Sequence, residues 1–437
     1  MTDDSGRSPQ ARTASDGVVT GYGSKPATFA GQALEAALHC GVSARSAGLA
    51  STGGSEHAAS AHTADEPATK RLRERSVVMV DNATGGGCAL PGAARMRSVP
   101  ACLNGAVTNV WTPRVGGDAP TVDDVGELGV LRSVLAVVEP AAADVGPGDD
   151  AAVLTTSTGR TVVTTDSMVL GLDWRDDWSS PQDVGVKVIA QNLADVVAMG
   201  ARPTGVVVAL AAEGATRVDW LVDLTRGMAD ELRRAGVGSF GGDLSGAPDG
   251  TVAIAVTALG DLPAGREPLL RANARVGESI IVSDVLGRSH AGLLVLLGEV
   301  APSERAGTAT QECVGWHRAP RPRYAGDEAA AAGVRCAMDV SDGLMLDAAR
   351  IARASSVRLA FDGDALRAMA RPLEPVVGDR ALECVLSGGE EHALLATSPE
   401  GRVPAGWHVV GRVEDGQGVT LDGEPAQTEG WTHFGAR

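Results

Sequence analysis

SSPQDVGVKVIAQNLADVVAMGARP, residues 179–203, decides the fold class because it is punctuated as a helix at both ends. Ser180 stands at the N-cap, Pro181 fits the first turn, and Gly200 with Pro203 beyond it ends the run. Between them Val186, Ile189, Ala190, Leu193, Val196 and Val197 repeat at helical spacing and mark a core stripe. The other side carries Val188, Asn192, Asp195 and Met199, with Asn192 and Asp195 one turn apart. A buried strand, TGVVVALAA, follows at once. Next comes a second helix, TRVDWLVDLTRGMADELRRAG, with Trp220, Leu221, Leu224 and Met228 inward and Gly236 at its C-terminal end. SFGGDLSG reads as a glycine-rich turn bearing Asp243, ahead of the strand TVAIAVTALG.

Upstream, GELGVLRSVLAVV (126–138) is a short amphipathic helix with Leu128, Leu131, Val134 and Leu135 as its apolar face. AAVLTTSTGRTVVTTDSMV reads as two β-branched strands in a hairpin turning at Ser157 to Arg160, with Asp166 near the end of the second. Downstream of Arg271 a second half repeats the alternation. It contains the strand ESIIVSDV, the helix SHAGLLVLLG, a short strand ending at Asp339 to Asp342 before another helix, and LSGGEEHALLATS as a turn and strand. Two α/β domains of about 150 residues each are expected, 123–270 and 271–437. Residues 1–122, rich in Ala, Ser, Gly and Thr and without apolar periodicity, are expected to form a largely disordered extension.

The bulk properties narrow the function. A net charge of -17 excludes a general nucleic-acid surface, and no run approaches the length of a membrane span. With an acidic, non-apolar start to the chain, a cytoplasmic protein is expected. The six cysteines form no CxxC pair, so buried thiols are expected rather than a zinc site or disulfides. Only Lys25, Lys70 and Lys187 are lysines, and none sits in a P-loop. VGPGDDAAVL matches the loose GxGxxA dinucleotide pattern, but that pattern needs a helix after it, and Val, Leu and Thr follow instead.

Asp149, Asp150, Asp166, Asp195, Asp243, Asp339 and Asp342 recur beside small residues, six of them at expected strand ends or turns. A lone Asp in such a turn is explained by bonds to its own backbone. Asp195, late in an apolar helix, is not. Without a hydrolase elbow, an HExxH or a kinase HRD/DFG set, what remains is an acidic, glycine-rich site lacking lysine. Its consistent ligand is a polyphosphate carried by several Mg²⁺ ions, which favour carboxylate and phosphate oxygens.

GDDAAVL, TTDSMV, QNLADVVAMGARP, GGDLSG, GRSHAGL, DVSDGL, LSGGEEHALL and the closing GWTHF, taken in order, resemble the thiamine-monophosphate kinases of the PurM-like (aminoimidazole-ribotide-synthetase-like) superfamily, over about Val125 to Arg437. The resemblance implies an α/β (α+β) two-domain architecture, with an N-terminal mixed-sheet domain that dimerises and a C-terminal α/β domain. It implies ATP-dependent phosphorylation of thiamine monophosphate to thiamine diphosphate by a homodimer, with several Mg²⁺ ions and no catalytic side chain. Carried over by position, the metal ligands would be Asp150 with Asp149 beside it, Thr164, Thr165, Asp166, Asp195, Asp243, Asp339 and Asp342. Gly242, Asp243, Arg271 and Ser341 would contact ATP, and Asp173, Glu390 and Trp431 the thiamine phosphate, Trp431 by stacking on the cationic ring.

The sequence departs from the family at three places. VLGLDW puts Asp173 where a His is usual, Glu391 replaces an Asp after Gly-Gly-Glu, and His290 replaces a small residue. Arg288 reads as a solvated loop residue. The rival readings are a sister ATP-dependent synthetase, of the aminoimidazole-ribotide or selenophosphate type, and a weakened paralogue that only binds thiamine phosphates.

Overall fold

The computed structural model describes residues 111–147, 151–303 and 306–428. The first half runs α1 (Val122–Leu135), β1 (Thr161–Val169), α2 (Pro181–Ala198), β2 (Arg202–Glu213), α3 (Val218–Ala235), β3 (Gly238–Ala247) and β4 (Val252–Asp261). Its four-stranded sheet has the order β1-β4-β2-β3, with only the β2–β3 pair parallel. Helix α2 starts as its sequence dictates: Asp183 N–H donates to Ser180 Oγ at 3.1 Å and Ser180 N–H to Asp183 Oδ2 at 2.9 Å, a reciprocal capping box with Pro181 in the first turn. It crosses α3 where both helices carry glycine. A Cβ on Gly185 would stand 2.1 Å from Leu224 O, and one on Gly227 2.0 Å from Gln182 O. The two backbones therefore touch, and α2 lies buried on both its faces between α3 and the sheet.

Four expectations change here. Helix α1 breaks at Gly126 (φ 66) and packs on α3 through Val130, so Leu128 and Leu135 of the expected face stay 67% and 49% exposed. The hairpin before β1 does not form. Val153 makes one isolated bridge to Val145, while β1 pairs over its whole length with β4, and Ser157 at the supposed turn bonds Asp261, the last residue of β4. A nine-residue antiparallel partner outweighs the local turn signal. SFGGDLSG lies in β3, beside β2, because its glycines admit the close approach: a Cβ on Gly242 would stand 2.2 Å from Val208 O. Asp166 and Asp243 are thus mid-strand residues. Residues 111–121, assigned to the extension, pack on this half: Trp111 Nε1 donates to Asp176 O at 3.0 Å and Arg114 bonds Asp176 and Glu213. The expectation for residues 1–110 lies outside the described residues.

The second half continues with β5 (Ser279–Val282), α4 (Arg288–Leu297), α5 (Gly307–Arg318), α6 (Gly326–Ala331), β6 (Cys336–Asp339), α7 (Leu344–Ser355), β7 (Arg358–Phe361), α8 (Gly363–Ala370), α9 (Glu374–Val377), α10 (Ala381–Ser387), β8 (Leu394–Ser398), β9 (His408–Glu414), β10 (Gly418–Leu421) and β11 (Glu424–Pro425). Its seven-stranded sheet has the order β11-β10-β7-β9-β5-β8-β6, antiparallel except for β10–β7. Each half has its own large core, and a third cluster joins them. Val197 and Ala198, at the end of α2, pack with Ile281, Ala337, Leu394 and Trp407 of the second half. Helix α2 therefore faces its own sheet on one side and the other half at its end. Cys313, Cys336 and Cys384 are buried free thiols, and no helix among the described residues is long and apolar enough to cross a membrane.

Candidate functional site

Strand β1 alternates its side chains, so Thr164, Asp166 and Met168 face α2 while Thr165 and Ser167 face away. Asn192, wholly buried, locks the register: Asp166 N–H donates to its Oδ1 at 2.9 Å, and its Nδ2 donates to Val188 O at 2.8 Å. One turn on, Asp195 Oδ2 accepts from Thr164 Oγ1 at 3.0 Å, and Gln191 Nε2 donates to Asp166 Oδ2 at 2.9 Å. Burial, reinforced by the nearby charge of Asp339, pushes the Asp195 carboxyl up to about 7. A cavity of about 780 Å³ opens beside this face, between the halves, lined among others by Arg160, Thr164, Asp195, Met199, Arg271 and Asp339.

From the second half, Asp339 ends β6 and Asp342 sits in the turn before α7. Asp347 shapes that turn, its Oδ2 accepting from the N–H groups of Ser341 and Asp342 at 3.1 Å each, while Arg350 bonds both Asp347 and Asp342. The segment Gly388 to His392 lies against it. Both glycines are required by closeness: a Cβ on Gly389 would stand 2.3 Å from Ser341 O, and one on Gly388 2.3 Å from Cys384 O. Glu390 and His392 both adopt positive φ (60 and 53), a conformation costly for residues with a Cβ and held here by the surrounding bonds. Glu390 N–H donates to Ser341 O at 2.8 Å and His392 N–H to Val340 O at 2.9 Å.

The three side chains of that segment go to three places. His392 Nδ1 lies 3.1 Å from Asp339 Oδ2; burial opposes its protonation most, but the Asp339 bond together with the charges of Asp339, Glu390 and Asp195 outweighs burial and raises its pKa. Glu391, fully buried, accepts from Ser289 N–H at 2.6 Å, and burial pushes its carboxyl up to about 7. Glu390, one-third exposed, lies 2.6 Å from Lys187 Nζ and 3.2 Å from His317 Nδ1. Burial would raise its carboxyl, but Lys187 and His317 hold it well below the usual range.

Of the residues expected at the site, Thr164, Asp166, Asp195 and Asp339 come together between the halves, with Arg271 on the same cavity and Ser341 and Asp342 in the adjoining turn. Asp173 and Glu390 meet through Lys187, whose Nζ also donates to Asp173 O at 3.3 Å, while the Asp173 carboxylate accepts from Val169 N–H at 2.7 Å. Thr165 and Asp243 are not brought in. Thr165 Oγ1 donates to Val256 O on the outer face of the sheet, and Asp243, level with Ala209 on the far edge strand, is about 14 Å from β1 across three strand spacings. Gly242 shares that distant edge. Asp149, Asp150 and Trp431 lie outside the described residues. Among the described residues no three His, Cys, Asp or Glu side chains cluster to hold a metal. Two carboxylates with a hydroxyl nevertheless fit Mg²⁺, which commonly takes one or two carboxylates and completes its shell with phosphate and water.

The family model for AIR synthase related protein, N-terminal domain, matches residues 148–262. The thiamine-monophosphate kinase of Mycobacterium tuberculosis is 44% identical over 329 residues, covering 73% of this chain and 94% of that one. That of Corynebacterium glutamicum is 36% identical, covering 72% and 96%. The chain belongs to the thiamine-monophosphate kinase family. Among solved structures, AaThiL complexed with AMPPCP and TMP is 28% identical and superposes with a TM-score of 0.57 over 71% of this chain and 97% of that one.

Within this kinase-family frame, the sequence reading missed the basic side of the site. A set without lysine was expected, yet Lys187 is 2% exposed against Glu390. Its signal was present: a lysine flanked by Val186 and Val188 in an apolar helix is buried only when paired. His317, His392 and Asp347 were also missed. Arg288 is not a solvated residue. It opens α4 with its guanidinium 3.4 Å over the Trp316 ring and contacts Asp284 and Glu391.

Proposed function

We propose that the chain transfers the γ-phosphoryl group of ATP to the phosphate of thiamine monophosphate, giving thiamine diphosphate and ADP. One observation carries the reading: the Glu390 N–H to Ser341 O bond makes neighbours of the residues matched to acceptor and nucleotide, beside a cavity large enough for a nucleotide. The AMPPCP and TMP bound to AaThiL support it.

An acceptor-phosphate oxygen attacks the γ-phosphorus as the bond to the β,γ-bridging oxygen breaks and ADP departs. A phosphate monoester with a second pKa near 6 is mostly dianionic at neutral pH, so no general base is needed. The difficulty is bringing two anions together in line. Bound Mg²⁺ supplies the neutralising charge on the phosphate oxygens. The chain's residues do the rest. Asp195 and Asp339, with Asp342 and Asp166, would hold the ions; the Thr164 hydroxyl orients Asp195; His392 holds Asp339; Arg271 offers a cation to the nucleotide. Glu390 would face the cationic ring of the acceptor, with Asp173 near and Trp431 stacked on the ring.

The family's homodimer gives Thr165 and Asp243 a place. Both lie on the outer face of the four-stranded sheet, where Val163 and Val207 are 61% and 39% exposed. A second copy packed there would cover that face and bring its own Asp243 edge toward a site. Val163→Asp is then expected to turn dimers into monomers in sedimentation.

The test is purified protein with ATP, Mg²⁺ and thiamine monophosphate, followed for thiamine diphosphate and ADP in equal amounts. Nucleotide binding without diphosphate formation would reject the kinase reading in favour of a protein that only binds thiamine phosphates.

A further inference from the structure

Lys187 is the only lysine among the described residues, and it serves neither the carboxylate pair nor the nucleotide cavity. Its side chain is 3% exposed, so it cannot meet a substrate, yet its ammonium lies 2.6 Å from a Glu390 oxygen whose carboxylate is one-third open. The opposite oxygen is held by His317 Nδ1 of α5 at 3.2 Å and by Ser289 Oγ of α4 at 3.4 Å. The Glu390 backbone is fixed at positive φ by its bond to Ser341. Three elements from both halves thus converge on one carboxylate. Helix α2 carries Lys187 two turns, about 12 Å, before Asp195. The same rigid helix therefore spaces the anion that faces the acceptor from the anions that face the metal and nucleotide.

Resting on the acceptor proposed above, we infer that Lys187 is a positioning residue: from beneath the cleft it fixes the Glu390 carboxylate, and so sets where the cationic ring of the acceptor sits relative to the phosphates. It makes no contact with the acceptor. The charged groups around Glu390 are Lys187 from α2, His317 from α5 and His392 from its own segment. With burial lowering His317, Lys187 is the permanent cation among them.

The test compares wild type, Lys187→Met, Lys187→Arg and His317→Asn in steady-state kinetics with ATP, Mg²⁺ and thiamine monophosphate between pH 5.5 and 8.5. Wild-type turnover is measured first, and its absence would count against the acceptor reading alone. With turnover present, Lys187→Met is expected to raise KM for thiamine monophosphate about tenfold while KM for ATP stays within twofold. Without Lys187, the Glu390 carboxyl rises, so the variant's KM for the acceptor climbs more steeply as pH falls than that of wild type, in which the acceptor phosphate already titrates near pH 6. Lys187→Arg restores KM to within about threefold. His317→Asn keeps the ion pair and is expected to raise the same KM about threefold; should Lys187→Met fail to fold, the milder Lys187→Gln, read for the same split between acceptor and ATP KM, decides the matter. Acceptor KM unchanged in the folded variants, or ATP KM rising equally, overturns the inference.

Discussion

Two carboxylates that meet helix α2 two turns apart, Asp195 on the helix itself and Glu390 against its Lys187, have opposite electrostatic fates. Asp195 has a hydroxyl, Thr164, as its close partner and a second carboxylate, Asp339, nearby, so burial and repulsion push its carboxyl up to about 7. Glu390 is surrounded by the chain's own donors, and Lys187 and His317 hold it ionised against burial. The difference separates a carboxylate that the chain's own cations hold ionised from one whose charge its surroundings oppose. Carboxylates at a site are thus sorted by their partners rather than by their number.

The contrast is most sharply tested at Asp195. Asp195→Asn is expected to lower diphosphate formation at least about 100-fold, yet to raise the unfolding temperature at pH 8 without divalent ions, since it removes a partly buried charge that desolvation and Asp339 oppose more strongly than His392 favours it. An unfolding temperature that falls would break the comparison. Glu391 gives the next effect. Its carboxyl is raised from 4.5 to about 7, so its contribution to stability is complete below pH 4.5 and is lost as pH rises through 7. Against Glu391→Gln, wild type is expected to lose about 3 kcal/mol of relative stability between pH 4 and 8 in urea titrations. Glu390→Gln has the sign opposite to Asp195→Asn: it strands Lys187 in the interior and is expected to cost about 2 kcal/mol, less than a fully enclosed pair would lose. Smallest is Thr164→Val, which removes one hydrogen bond to Asp195. It is expected to cost about 1 kcal/mol of stability and to weaken Mg²⁺-dependent nucleotide binding, both readable by calorimetry.

Helix α2 was fully legible from sequence because its cap, stripe and stop are local signals, and Gly236 (φ 74) closes α3 for the same reason. What misled was remote. The partner of β1 lies some ninety residues on, and a glycine-rich run became strand β3 because β2 lay beside it. Motif order singled out Asp195, Asp339 and Glu390 as candidates. Their separation into a compensated and an uncompensated pole depends on Lys187 and His317, which meet Glu390 only in three dimensions.

Glu390, Glu391 and His392 send three consecutive side chains to Lys187, the interior and Asp339. Such a turn works as an address code. Losing or gaining one residue between Gly388 and Ala393 would leave every chemical group present but deliver each to its neighbour's destination. Its length should therefore tolerate less change than its composition, and a Glu391→Asp exchange should disturb it far less than a single-residue deletion.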